Sequence, residues 1–193
     1  MTDEDVIKSI LQGEIQKYRI LVEKYQQMVF KTSMGFLHNK NDADDLTQEI
    51  FIQAYQSLNR FRGTAAFSTW LYRITVNAAL NKKRKSFKEL LFNRIDSFLG
   101  QEIIEEDYFL PSDPENPEEI VIRKEHTEWL QKALDSLPDN QRTAIVLSKY
   151  DDLSQKEIAE IMNKTEGAVE ALLQRAKKNL REKLSKTGKK VQD

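Results

Sequence analysis

Residues 153–184 read LSQKEIAEIMNKTEGAVEALLQRAKKNLREKL, and two helices are legible in them. Ser154 suits an N-cap, and Glu157 three positions on completes a capping box. Ile158, Ala159, Ile161 and Met162 follow, Asn163 and Lys164 make a short turn, and a second helix starts near Thr165 and Glu166. In that helix Ala168, Val169, Leu172, Leu173, Ala176, Leu180 and Leu184 recur at helical spacing. At about 100° per residue they form one apolar face. Gly167, Glu170, Ala171, Gln174, Lys177, Lys178 and Arg181 lie opposite. A short helix, a tight turn and a longer helix with a small-then-basic outer surface are what a helix-turn-helix needs to seat its second helix in a major groove. From Lys164 to Lys190 nine Lys/Arg stand against three Glu, a local net charge of +6. The same pattern also describes a solvated helical hairpin with a basic tail, and these residues alone leave both readings open.

Working outward, 193 residues suit one or two small domains. A hydrophobic content of 39% beside 32% charged residues suits small helical units with much exposed surface. The net charge is −1, so bulk charge does not announce a nucleic-acid binder; the charge must be segregated to matter. The absence of Cys excludes a disulfide framework and a thiolate metal site, and the two histidines, His38 and His126, lie far apart. No apolar run is long enough to span a membrane, and the acidic start MTDEDV is unlike a signal peptide, so a cytoplasmic protein is expected.

From the N-terminus, residues 3–11 read as a short helix with Val6, Ile7, Ile10 and Leu11 apolar, ended by Gly13. Residues 15–38 read as a longer helix with Ile15, Tyr18, Leu21, Val22, Tyr25, Val29 and Met34 inward. Asn39 to Asn41 form a turn, and Asn41 or Asp42 caps the next helix, Asp42 to Leu58. Its core face is Ala43, Leu46, Ile50, Ala54 and Leu58, with Phe51 at the edge. The opposite face carries Asp45, Gln48, Glu49, Ile52 and Gln56. Ile52 among polar groups gives a monomer nothing, and an acidic face with an apolar residue in it suits docking of a basic partner. Single exposed apolar residues are also ordinary surface. Asp42, Asp44, Asp45 and Glu49 spread around the helix without a convergent ligand, which disfavours a metal site.

Residues 59–85, NRFRGTAAFSTWLYRITVNAALNKKRK, open with a loop from Asn59 to Ala66 and turn helical at Phe67. Trp70, Leu71, Ile74, Ala78 and Leu80 are expected inward. Basic groups interleave with the aromatics Phe61, Phe67, Trp70 and Tyr72, and Gly63 allows close backbone approach. Cations track phosphates and aromatics or shaped pockets hold unstacked bases, so the segment reads as a nucleic-acid surface. Asp96 to Glu119 holds nine acidic residues, no Lys or Arg, and Pro111, Pro114 and Pro117: a linker, whose Phe98, Ile103, Ile104, Tyr108, Phe109 and Leu110 should touch a partner or fold back. Glu118 to Asp135 reads as a helix with Ile122, Trp129, Leu130, Ala133 and Leu134 apolar. Pro138 starts the next, Asp139 to Tyr150, with Ala144, Ile145 and Leu147 inward.

Three stretches carry a family resemblance: DADDLTQEIFIQAY at 42–55, FRGTAAFSTWLYRITVNAALN at 61–81 and LPDNQRTAIVLSKYDDLSQKEIAEIM at 137–162. Together, in this order and spacing, they resemble a bacterial sigma factor of the extracytoplasmic-function (ECF) group, over nearly the whole chain. The resemblance implies an all-α protein of two small helical domains, 1–92 and 118–193, joined by an acidic, proline-containing linker at 93–117. It implies no enzymatic activity, no cofactor, no metal and no small-molecule substrate. Its implied partners are core RNA polymerase (beta-prime clamp and beta flap), promoter DNA and an anti-sigma factor.

Residue by residue, the Asp-Leu-x-Gln-Glu pattern that docks on the beta-prime clamp falls on Asp45, Leu46, Gln48 and Glu49, joined by Ile52; Leu46 projects inward and reads as core. The second motif resembles the part that recognises and opens the minus-10 element. Arg60, Phe61, Arg62, Gly63 and Thr64 belong to a loop holding a flipped base, and Arg73, Asn77, Asn81, Lys82 and Arg84 lie against the duplex edge and backbone. The terminal hairpin resembles the minus-35 reader, with Thr165, Gly167, Glu170, Ala171, Gln174, Arg175 and Lys178 nearest the bases and phosphates. Many members read VKSRLxRA where this chain reads VEALLQRA, so Glu170 replaces a cation and Ala171 and Leu172 replace Ser and Arg. A Glu can accept from cytosine N4 and an Ala can touch a thymine methyl. Fewer phosphate contacts weaken this domain's own binding. Ala65-Ala66 likewise stands where more polar residues are usual. Two elements about two helical turns apart need roughly 70 Å between readers, and about 30 extended residues reach roughly 100 Å.

The alternative is a dimeric helix-turn-helix operator-binding regulator, which the terminal hairpin alone does not exclude. Such a protein needs neither the acidic docking face nor the aromatic-basic loop. A nucleic-acid enzyme is disfavoured by the lack of Cys, the isolated histidines and the absence of a clustered acid site.

Overall fold

The computed structural model describes residues 1–97 and 127–188, with side chains as far as residues 86 and 185 respectively. Every regular element among the described residues is a helix. The chain divides into two compact units, Met1–Asp107 and Tyr108–Asp193. No helix among the described residues is long and apolar enough to cross a membrane.

In the first unit, α1 (Asp3–Leu11) begins at a capping box. The Thr2 hydroxyl accepts from the Asp5 amide at 3.2 Å and the Asp5 carboxylate accepts from the Thr2 amide at 2.9 Å. Val6, Ile7 and Ile10 are buried, but Leu11, expected inside, is exposed: the helix stops there and Gly13, at φ +108°, turns the chain away. A 3-10 turn, Ile15–Lys17, then breaks the single helix expected over 15–38 and leaves Ile15 on the surface. α2 (Tyr18–Leu37) ends at His38 in the left-handed conformation. The Asn39 side chain accepts from the Asp42 amide at 3.1 Å and caps α3 (Lys40–Ser57). The cap is therefore Asn39 rather than Asn41 or Asp42, because the turn at His38 delivers the chain into helical geometry earlier.

α3 buries Ala43, Leu46, Ile50 and Ala54 as its periodicity predicts, and Phe51 with them; Leu58 is buried in a following 3-10 turn, Leu58–Arg60. After the loop 61–66, α4 (Phe67–Ser97) packs on α2 and α3. Its core face differs in phase from the expected one. Phe67, Leu71, Tyr72, Thr75, Val76 and Ala79 are buried, whereas Trp70, Ile74, Ala78 and Leu80 are only half-buried. Thr75 can sit fully inside because its hydroxyl donates to the Leu71 carbonyl at 2.9 Å. α4 runs to Ser97; the remainder of the expected linker, and Ile122, lie outside the described residues.

In the second unit, α5 covers residues 127–135. Ala133 and Leu134 are buried, Trp129 is half-buried and Leu130 is exposed, contrary to expectation for the last. Pro138 precedes α6 (Asp139–Lys149), α7 is Gln155–Met162 and α8 is Glu166–Gly188. The core joins Ile145, Val146 and Leu147 of α6, Ile158 and Ile161 of α7, and Val169, Leu173 and Ala176 of α8. Ala168, expected on that face, is exposed in the first turn of α8. One cation belongs to this core. Arg142 of α6 is 5% exposed; its Nε donates to the Leu134 carbonyl at 3.0 Å, and Nη2 donates to the Asp135 carbonyl, closing the C-terminal end of α5. Asn179 of α8 donates to Gln141 of α6 at 2.8 Å.

Candidate nucleic-acid and partner interfaces

On α3 the buried stripe leaves Asp45, Gln48, Glu49 and Ile52 together on the exposed side, with Ile52 59% exposed. The helix is anchored behind them: the Tyr18 hydroxyl donates to the Phe51 carbonyl at 2.7 Å, and its ring meets Tyr55 edge-on at 5.0 Å. Burial pushes the Tyr18 phenol above its ordinary range. The acidic face is thus backed by a hydrogen bond and a ring contact from α2.

The loop 61–66 has a root and a tip. At the root, Phe61 is half-buried, its ring centroid 5.7 Å from Phe67 and 5.6 Å from Trp70. Phe67 in turn lies 5.5 Å from Trp70 and 5.5 Å from Tyr25 of α2. At the tip, Gly63 takes φ +67°, a left-handed conformation that disfavours any side chain. Arg60, Arg62, Gly63 and Thr64 are exposed. The sequence reading gave no role to α1, yet Glu4 Oε1 lies 3.7 Å from where a Gly63 Cβ would stand.

Beyond the loop, Arg73, Asn77, Asn81 and Arg84 follow at i, i+4, i+8 and i+11 and share one side of α4. Lys82 sits apart from them. Its ammonium donates to the Asp42 carbonyl at 3.3 Å and lies 3.7 Å from the Asp42 carboxylate, at the start of α3. Lys83 donates to the Phe36 carbonyl at 3.2 Å, a cation at the C-terminal end of α2.

The helix-turn-helix is built from local signals. The Ser154 hydroxyl accepts from the Glu157 amide at 3.3 Å while the Glu157 carboxylate accepts from the Ser154 amide at 2.9 Å. Asn163 ends α7 in the left-handed region, and the Thr165 hydroxyl accepts from the Ala168 amide at 3.2 Å to cap α8. Gly167, Glu170, Gln174, Arg175 and Lys178 are exposed and Ala171 half-buried. Gln174 donates to Glu170 at 3.2 Å, one turn apart.

The bonds from Ser154 hold the Glu157 carboxyl below the ordinary 4.5. A carboxylate whose folded pKa is depressed contributes stability that is fully present above its unfolded value and is lost as pH falls through the lower folded value. Urea melts of this unit should therefore lose stability as the pH is lowered through and below the ordinary glutamate range. Glu157→Ala should be less stable at neutral pH and flatter with acid. Parallel pH profiles for the two proteins would count against the capping box.

Two family profiles match the chain: sigma-70 region 2 over residues 21–88 and sigma-70 region 4 over residues 127–180. The chain is 31% identical over 180 residues to the RNA polymerase sigma-H factor of Pseudomonas aeruginosa, covering 91% of this chain and 90% of that one. It is 32% identical over 184 residues to the ECF RNA polymerase sigma-E factor of Escherichia coli, covering 95% of each. Its fold is similar to that of CnrH in complex with the cytosolic domain of CnrY, with a TM-score of 0.62, 21% identity, and coverage of 95% of this chain and 97% of that one. It is also similar to that of the sigma factor RpoE in complex with the anti-sigma factor NepR from Bartonella quintana, with a TM-score of 0.61, 21% identity, and coverage of 88% and 98%.

Proposed function

We propose that this chain, which belongs to the sigma-70 family as an ECF sigma factor and directs transcription initiation, divides that work among three surfaces. Asp45, Gln48, Glu49 and Ile52 of α3 dock on the beta-prime clamp of core RNA polymerase. α8 reads minus-35 as duplex through Glu170, Ala171, Gln174 and Arg175, with Thr165, Gly167 and Lys178 toward the backbone. The loop 61–66 receives an unstacked minus-10 base, while Arg73, Asn77, Asn81 and Arg84 track the adjoining strand; Lys82, named with them from the sequence, is instead held on Asp42.

The observation that carries this reading is the loop: an aromatic root beneath an exposed tip of Arg60, Arg62, Gly63 and Thr64, followed in the chain by the polar stripe on α4. An operator-binding hairpin has no use for it. Unpairing and unstacking a base costs a few kcal/mol, and stacking or pocketing returns about 1–3 kcal/mol per base. The two terms are comparable, so capture of the base offsets most of what its unstacking costs, and opening needs no covalent chemistry. The polymerase holds the other end of the contact, so α8 need not bind DNA tightly by itself. The two similar folds were solved as complexes with CnrY and with the anti-sigma factor NepR; we extend an anti-sigma partner, and a cytoplasmic site of action, to this chain by analogy.

Phe61→Ala combined with Arg62→Ala should impair promoter opening by about tenfold or more, the effect of losing one stacking contact, and should change duplex binding far less. Permanganate reactivity of minus-10 thymines reads the first and gel shift at low temperature reads the second. Equal loss in both assays would remove the capture role from this loop.

A further inference from the structure

α1 precedes the stretch matched by the region 2 profile, which begins at residue 21. Its first turn is nevertheless joined to the loop at both root and tip. The Thr2–Asp5 capping box sets Asp3 as the first helical residue. From there both Asp3 oxygens reach α2: one accepts from Lys24 Nζ at 2.6 Å, the other from the Tyr25 hydroxyl at 2.5 Å. The Tyr25 ring packs on Phe67 at 5.5 Å, and Phe67, 2% exposed, meets Phe61 edge-on at 5.7 Å. Glu4, the next residue of α1, stands at the Gly63 tip.

We propose that Asp3 and Tyr25 are positioning residues for the loop 61–66, so that α1 is a working part of the minus-10 machinery. The inference rests on the reading of that loop as the base-capturing element. A charge-assisted hydrogen bond fixes the Tyr25 ring by its far end. Aromatic pairs prefer particular tilts at centroid separations of about 4.5–7 Å; Tyr25 lies tilted on Phe67 and Phe67 edge-on to Phe61 within that range, so a pinned Tyr25 bears on Phe67, and Phe67 on Phe61. A loop held in its receiving form before DNA arrives binds a base without the cost of ordering itself.

The test uses the full chain bound to core polymerase. The probes are a fluorescent single-stranded oligodeoxynucleotide and an upstream duplex, each selected from a random pool by the wild-type holoenzyme. Tyr25→Phe keeps the ring and removes the hydroxyl; it should weaken single-strand capture about tenfold, the scale of one charge-assisted hydrogen bond. Core affinity and duplex binding should stay within about twofold, inside the scatter of a distant, uncoupled site. Asp3→Ala should match it, Asp3→Asn should recover most of the capture because an amide oxygen still accepts from the hydroxyl, and Asp3→Ala with Tyr25→Phe should be no worse than either alone. Wild-type capture by both single variants overturns the proposal, as does an equal loss of core docking and capture, which is general damage to the unit. Phe61→Ala in the same assay separates the two layers. If it abolishes capture while Tyr25→Phe does not, α1 alone loses its role; if it too leaves capture intact, the reading of the loop fails first.

Discussion

Asp45→Arg combined with Glu49→Lys should abolish binding to core RNA polymerase, raising Kd by more than about a hundredfold, with helical content and melting unchanged. Both side chains are exposed, one turn apart, on the side of α3 opposite Leu46 and Ile50. Their own repulsion costs the helix only about 0.2–0.5 kcal/mol, and a pair of cations at the same spacing costs about as much, so the fold does not register the exchange. A basic partner does. Juxtaposing like charges across an interface costs several kcal/mol, and each 1.4 kcal/mol or so is a factor of ten in Kd. In the proposed docking, Ile52 beside them, 59% exposed, would be the apolar anchor of the patch. Fluorescence anisotropy with purified core polymerase, alongside circular dichroism, makes the measurement. A correctly folded double variant that binds core with wild-type affinity would refute the docking assignment.

Arg142→Ala should destabilise the second unit by roughly 3–5 kcal/mol, since it removes two hydrogen bonds made by a buried charged group, each worth about 1.5–3 kcal/mol. The guanidinium serves two carbonyls at the end of α5 and lies 3.7 Å from the Asp135 carboxylate. Removing it leaves the Leu134 carbonyl with the Leu137 amide alone, takes the guanidinium donor from the Asp135 carbonyl, and opens a void between α5 and α6. In a unit of this size 1 kcal/mol moves Tm by about 4–8 °C, so a fall of roughly 15 °C or more is expected. Amide hydrogen exchange places the effect: protection in α6, α7 and α8 should drop while that in α1 to α4 stays constant. Arg142→Lys, which keeps one donor and not the planar fork, should fall between. Unchanged protection in α6 would show that Arg142 is dispensable to the packing.

Arg142 also marks the limit of what can be read from a chain without coordinates. An arginine in a polar run, DNQRTA, reads as surface, because hydrophobic periodicity does not register a cation buried on backbone carbonyls. The same blindness shifted the expected core face of α4. Thr69 and Thr75 are inside, and Thr75 meets its hydrogen-bond need within its own helix. Meanwhile the large Trp70 and Ile74, which dominate any hydrophobic projection, are half-buried. α7 and α8 were legible because their punctuation is local: Ser154 with Glu157, Asn163, and Thr165 each act within one turn of their own position. α3 was legible because its buried residues are all apolar and at helical spacing, which left the acidic face by subtraction. Its cap was missed because Asn39, Asn41 and Asp42 are all competent, and the choice is made by the backbone at His38. The exposed set on α8 follows from projection as well. The part that α1 plays does not, since Asp3 and Tyr25 meet across 22 residues of chain.

Lys82 and Lys83 stand in the basic run Lys82–Lys85, yet their ammonium groups rest on oxygens of Asp42 and Phe36. Binding to a polyanion draws much of its strength from small cations freed from the polymer's ion atmosphere, with log K changing by about 0.9 per phosphate neutralised on duplex and about 0.7 on single strands for each decade of salt. A lysine whose ammonium is held on oxygens of its own domain is not extended toward a phosphate, and so displaces fewer of those cations when a strand arrives. Whatever phosphates α4 meets, its affinity should respond to ionic strength less steeply than a count of its cations suggests. The same two lysines instead tie α4 to both sides of the turn between α2 and α3, at Phe36 and at Asp42, and so to the start of the helix that carries the acidic face.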